Sequence, residues 1–129
     1  MTTLHKSTMS SPEQLIQRQL DAYNAKDVGA WLQTYHPQAE QFQLHGGRLA
    51  CGHDELRSRI VVRFQEPDLH ARLLGRSVMG NVVVDHERIT RNFPEGLGYV
   101  EMLCIYEVSD HYIVKATFAS SPPVMAMAG

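Results

Sequence analysis

The spacing of apolar residues changes once along this 129-residue chain, near Pro67, and that change restricts the fold more than any single motif does. Before it, apolar side chains recur at helical spacing; after it they alternate, as they do along strands. A chain that places its helices first and its strands second builds an α+β domain, because the helical stripes and the apolar sheet face must cover one another. The expectation is three amphipathic N-terminal helices closing over a curved, mainly antiparallel sheet.

The first helix starts at Ser11-Pro12-Glu13-Gln14, where a capping hydroxyl, a proline at the first helical position, an acid at the positive dipole end and a capping-box glutamine coincide; it runs to about Asn24. Asp27 caps a second helix, with Val28, Trp31, Leu32 and Tyr35 on one stripe before Pro37. An extended piece from Ala39 to Leu44 turns at His45-Gly46-Gly47 into Arg48 to Ala50, a small hairpin. A third helix from Gly52 carries Leu56, Ile60, Val61 and Phe64 and stops at Pro67. Four strands follow, Asp68 to Met79, Val82 to Phe93, Leu97 to Val108 and Tyr112 to Phe118, joined by Gly80-Asn81, Pro94-Glu95-Gly96 and Ser109-Asp110-His111 as an antiparallel meander.

In the third of these strands Val100, Met102, Cys104, Tyr106 and Val108 should face the helices. Leu103 and Ile105 then lie outside, where a partner subunit can cover them. In the fourth, Tyr112, Val114, Ala116 and Phe118 share a face and Lys115 takes the other. Residues 1–10 and 120–129 read as flexible ends around a single domain at 11–119.

Composition excludes several classes. Net charge is −2 with Lys and Arg dispersed, so no nucleic-acid partner is expected. No apolar run reaches the roughly 18 residues of a membrane span, and Met1 to Ser10 lacks a secretory pattern, so no membrane partner and a cytoplasmic location are expected. Cys51 and Cys104 show no metal-ligand spacing and are expected as thiols. No paired-histidine spacing, phosphate loop, dinucleotide fingerprint or nucleophile elbow occurs, so neither a metal nor a cofactor is expected.

The segments Tyr23-Asn24-Ala25-Lys26-Asp27, Trp31-Leu32-Gln33-Thr34-Tyr35 and Gly52-His53-Asp54-Glu55-Leu56, in this order and at these intervals, resemble the nuclear transport factor 2-like superfamily, in particular its SnoaL-like and ketosteroid-isomerase-like branch. The resemblance spans about Pro12 to Phe118 and implies a cone-shaped roll with a mostly apolar cavity, paired as a homodimer through the outer sheet face. It leaves the chemistry open, since the superfamily holds isomerases, cyclases, hydrolases and dehydratases beside noncatalytic carriers. The positions of the isomerase's general base, phenol and sheet carboxylic acid fall on Gln43, Gln19 and Cys104. None of these can serve the isomerase apparatus, because a glutamine moves no proton near neutral pH. The amides of Gln19 and Gln43 can still hydrogen-bond a carbonyl ligand.

The candidate chemistry lies in Asp85-His86-Glu87-Arg88, which interrupts the apolar pattern after Val82-Val83-Val84. Alternation puts His86 and Arg88 on one face and Asp85 and Glu87 on the other, without saying which is inside. Of the histidines, His86 is the best-placed proton carrier if it faces the cavity, and His45, beside the glycine turn near the cavity mouth, is the second candidate. Alternatively, cross-strand pairs with Arg72, Arg76 or Lys115 absorb these charges. Gln19, Tyr23, Trp31, Tyr35, Gln43, Phe64, Met102, Cys104 and Tyr106 are the expected ligand pocket, with Gln43 turned inward and Phe42 left for an interface.

Three readings follow. The first is a pocket enzyme of isomerase, cyclase or hydrolase type acting by acid–base chemistry on a small apolar carbonyl or hydroxyl compound, oriented by Tyr106 or Gln43. The second is a noncatalytic ligand-binding or dimerisation module. The third is a protein-interaction module built on the outer sheet around Leu103 and Ile105.

Overall fold

The computed structural model describes residues 11–126, an α+β roll of three helices on one curved sheet. Helix α1 (Pro12–Asn24) opens with the expected capping box: Ser11 Oγ accepts from the Gln14 amide at 3.1 Å and Gln14 Oε1 accepts from the Ser11 amide at 3.0 Å. Its far end is tied to the sheet by Asn24, whose side chain exchanges both hydrogen bonds with the backbone of Ala71, at 2.8 and 2.9 Å. Helix α2 (Val28–Gln33) is capped by Asp27, which accepts from the Ala30 amide at 3.0 Å.

Tyr35, expected on α2, instead begins strand β1 (Tyr35–Gln43). Thr34 closes the helix by returning its amide and hydroxyl to the Trp31 carbonyl, and its own carbonyl accepts from the Ile113 amide of a neighbouring strand. Strand β2 (Arg48–Cys51) completes the small hairpin, and helix α3 (Gly52–Arg63) follows directly. Cys51 offers no capping side chain, so Glu55 Oε1 accepts from the Cys51 amide at 2.8 Å instead.

The remaining strands are β3 (His70–Met79), β4 (Val82–Phe93), β5 (Gly96–Ser109), β6 (Tyr112–Ser120) and β7 (Val124–Met125). The sheet order is β2-β1-β6-β5-β4-β3, with β7 paired to β5. Only β1 and β6 run parallel. Register shifts between β1 and β2, β3 and β4, and β5 and β6 bend the sheet, as bulges do.

The core sits between the helices and the concave face. Leu15, Ile16 and Leu20 of α1, Leu32 of α2, and Leu56 and Ile60 of α3 are buried with Val83, Ile89, Val100, Tyr106 and Ile113 of the sheet. The even-numbered face of β5 is the inner one, and Leu103 is exposed. In β6 the expected face does not run the whole strand. Val108 pairs Ile113 and Glu107 pairs Lys115, so Val114 is an extra residue and the alternation flips across it. Ile113 and Ala116 are buried while Tyr112 is exposed.

The tail also differs from the expectation of a structureless end. Val124 and Met125 pair with Tyr99 and Gly98, and a Cβ on Gly98 would lie 2.6 Å from the Val124 carbonyl oxygen. The missing side chain is what admits the returning strand. The expected loose start at 1–10, and 127–129, lie outside the described residues. Among the described residues no helix is long and apolar enough to cross a membrane.

Candidate functional site

A cavity of about 700 Å³ lies between the three helices and the concave face of the sheet. Its deep wall is made of buried side chains: Gln19 from α1, Trp31 from α2, Tyr35 and Gln41 from β1, Glu87 from β4, and Cys104 and Tyr106 from β5. Exposed residues, Gln43, Arg59, Val62 and Ser120, rim its mouth.

Two carboxylates enter this interior from β4. Asp85 is fully buried and held by a bidentate pair with Arg76, Nε to Oδ1 at 2.7 Å and Nη2 to Oδ2 at 2.9 Å, while Arg76 Nη1 donates to Gln17 Oε1 at 2.9 Å. Its charge is thus neutralised away from the cavity wall. Glu87, two residues on and on the same face, has no cation at hydrogen-bond distance. The Cys104 thiol lies 3.8 Å from its Oε1, and its Oε2 has no partner. Burial, then the negative charge of Asp85, push the Glu87 carboxyl up to about 7, against smaller opposing pulls from the Cys104 thiol and Arg76. A carboxyl so placed exchanges a proton near neutral pH, which an ordinary glutamate does not.

Donors surround it. Tyr106 donates its hydroxyl to Gln19 Oε1 at 3.2 Å, which leaves the Gln19 amide nitrogen available. Gln41 Nε2 donates to the Tyr35 hydroxyl at 3.3 Å. Trp31 Nε1 is buried without an acceptor. Burial raises the Tyr23, Tyr35 and Tyr106 phenols well above their ordinary value, Tyr23 to about 12, so all three remain protonated donors. The Cys104 thiol is likewise pushed up by burial and by Glu87, which makes it a poor nucleophile.

The structure brings Gln19, Tyr23, Trp31, Tyr35, Gln43, Met102, Cys104 and Tyr106 together on the cavity wall. Phe64 is absent from it and packs behind, edge-on to Tyr23 with ring centres 5.6 Å apart. Phe42 points away from Gln43, its ring under the Lys115 ammonium at 5.1 Å. The two histidines lie elsewhere. His86 is on the outer face, its Nε2 2.8 Å from Glu101 Oε1, because Val83, Asp85, Glu87 and Ile89 take the inner side of β4. His45 sits exposed at the hairpin turn in a left-handed conformation, φ 60°, off the cavity wall.

Glu87, present in the polar run of β4 but not expected as the proton carrier, thus joins Gln41 and the arginines of the rim as cavity residues beyond the expected set. Glu87 was traceable, because it pairs with Met102 across the β4–β5 hairpin, and directly opposed residues share a face.

A helix-covered curved sheet holding an open-mouthed, partly polar cavity fits the nuclear transport factor 2-like class of α+β proteins. Within it the chain belongs to the SnoaL-like domain family, which matches residues 16–116. Solved structures agree on the fold. A cystatin-fold protein from Novosphingobium aromaticivorans has a TM-score of 0.79 at 21% identity, covering 85% of this chain and 98% of its own. An NTF2-like protein from Burkholderia pseudomallei has a TM-score of 0.76 at 15% identity, covering 88% and 92%. A candidate SnoaL-like polyketide cyclase from Jannaschia has a TM-score of 0.73 at 16% identity, covering 84% of each chain. No curated protein matches the sequence.

Proposed function

We propose that this chain is a small-molecule enzyme that moves a proton on a small, largely apolar carbonyl or hydroxyl compound held in the cavity, with Glu87 as the proton carrier. The observation that carries the reading is the state of Glu87. It is a buried carboxyl on the cavity wall, titrating near neutral pH, with one oxygen unpartnered. A buried polar atom without a partner costs about 1–3 kcal/mol, and a ligand that supplies the partner recovers it. Trp31 Nε1, the other unpartnered atom on the wall, asks for an acceptor such as a carbonyl oxygen.

In such a reaction the ionised Glu87 takes a proton from the carbon beside a carbonyl, and the electron pair moves onto the carbonyl oxygen. Trp31 Nε1 and the free amide of Gln19 donate to that oxygen, and Glu87 returns the proton to the same or another atom. This replaces the His86 chemistry expected from the sequence. The likeness to a candidate polyketide cyclase accords with carbon-acid chemistry of this kind.

The test is deuterium uptake at the benzylic carbon of 2-tetralone in D₂O, followed by proton NMR with the full chain. The expected rate rises through about pH 7, falls about 100-fold in Glu87→Gln, and is unchanged in His86→Gln. Uptake no faster than buffer would favour a noncatalytic binding module, and uptake undiminished in Glu87→Gln would refute Glu87 as the proton carrier. The same proposal includes pairing of two copies through the outer sheet around the exposed Leu103, with a dimer expected and a monomer refuting it in sedimentation equilibrium.

A further inference from the structure

Three arginines reach the cavity, Arg59 and Arg63 from α3 and Arg91 from β4, and the acidic residues on its wall are Glu66 and Glu87. Glu66 serves two of the three. It accepts from Arg91 at 2.8 and 2.9 Å, and Arg63 Nε stands 3.5 Å from its Oε2. The Glu66 carboxyl is held below its ordinary value by these partners and the Asn92 amide, against the opposing effect of burial, so it is an ionised counter-ion already committed. Glu87, raised by burial, offers little negative charge below neutrality.

Arg59 makes no ion pair with any described residue. It stands one helical turn before Arg63, so the two guanidinium groups share a face of α3, a like-charge spacing that weakens a helix. Partial burial and then the charge of Arg63 lower Arg59 from its ordinary value, and the nearby Tyr35 only partly offsets this. Among the described residues Arg59 caps no helix end and pairs with no carboxylate, so its charge is left to meet an anion at the mouth. Local rules are broken in this way where a site needs the group.

We infer that the cavity selects an amphipathic carboxylate: a small apolar body whose anionic end pairs with Arg59 at the mouth while its reacting carbon reaches Glu87. The inference rests on the proton-transfer reading of the same cavity. A guanidinium suits a carboxylate because its fork of N–H groups donates two parallel bonds. Val62 and Ile60, also from α3 and on the same wall, supply apolar contact beside it. The excess of cations over ionised acids at the rim also attracts such a substrate and disfavours its uncharged analogues.

The test compares two probes of one shape, cyclohexaneacetate and cyclohexaneacetamide, titrated calorimetrically into the full chain at about pH 6 and low salt, where the acetate is ionised. The acetate is expected to bind about tenfold more tightly than the amide, a preference equivalent to about 1.4 kcal/mol. Arg59→Gln should bring the acetate to the level of the amide and leave the amide as it was. Arg59→Lys should keep part of the preference, because it keeps the charge and loses the fork. Equal affinities in the native chain, or a preference that survives Arg59→Gln, overturn the inference while leaving the pocket reading intact. If neither probe binds, both fall.

Discussion

The inner and outer faces of β4 hold four consecutive charged or titratable residues in opposite circumstances. Inside, Asp85 and Glu87 are buried, and one arginine answers for the pair by binding Asp85 alone. Outside, His86 and Arg88 both reach Glu101, at 2.8 and 3.0 Å, with the side chains of all three partly open to solvent. The outer trio is cross-paired, with Arg88 Nε left without a partner, and its pairs are cheap because water screens whatever geometry leaves imperfect. The inner pair is unevenly partnered in a medium that screens poorly, and there Glu87 holds its proton more tightly than an ordinary carboxyl does. Contiguity in sequence thus says nothing about shared chemistry when the backbone is extended.

The contrast predicts a steep hierarchy of mutational effects. The largest belongs to Arg76→Met, which leaves Asp85 charged and unpaired inside the protein; urea denaturation should show a loss of about 3–5 kcal/mol. The double variant Arg76→Met with Asp85→Leu should recover most of it, since the penalty is the orphaned charge and not the absent bond. A double variant as unstable as the single one would mean that the pair itself organises this end of the sheet.

Glu87→Gln comes next, and its sign depends on pH. The native state holds the Glu87 proton up to about 7, whereas the unfolded chain releases it near 4.5, so native stability falls as pH rises between these values. The amide cannot ionise. The variant should therefore match the native protein near pH 4 and exceed it by about 2–3 kcal/mol near pH 8. A difference that does not vary with pH would show that Glu87 is solvated and that the inner face is less enclosed than its burial indicates.

How much of this could be read from the sequence turns on one turn. The change of periodicity, the capping signals and the glycine and proline breaks locate every long element to within a few residues. The inner face of β5 follows from alternation alone. The face of β4 does not, because Val82-Val83-Val84 is apolar on both sides and the next four residues are polar on both. Register had to decide it. With Pro94-Glu95 as a two-residue loop, Phe93 opposes Gly96, and six residues further along each strand Glu87 meets the inward Met102. Drawing Gly96 into the loop would oppose Phe93 with Leu97 and bring His86 against Cys104, turning the histidine inward. A single residue of loop length separates the two chemistries. Tyr35 was lost differently: its spacing suits both the stripe of α2 and the first inward position of β1, and the pairing with β6 that settles the matter spans most of the chain. The rim arginines left no signal, since solvated helical arginines and arginines awaiting an anion look alike in one sequence.

The smallest effect is expected outside. The Glu101 carboxyl is held below its ordinary value first by His86 and then by Arg88, so its contribution is present above the unfolded carboxylate range and fades as pH falls through the lowered one. In Glu101→Gln, measured dilute enough to separate the paired copies, the thermal midpoint near neutral pH should move less than in either inner variant, and the difference should shrink further as salt is raised, since solvent then reaches the whole trio. If Glu101→Gln instead matched Arg76→Met and ignored salt, the outer face would have to be dry. A second copy of the chain lying over Leu103 and Glu101 would produce that result at higher concentration, and the effect of the substitution would then shrink on dilution as the copies separate. The same titration thus measures both the weakness of the outer pairs and whether anything covers them.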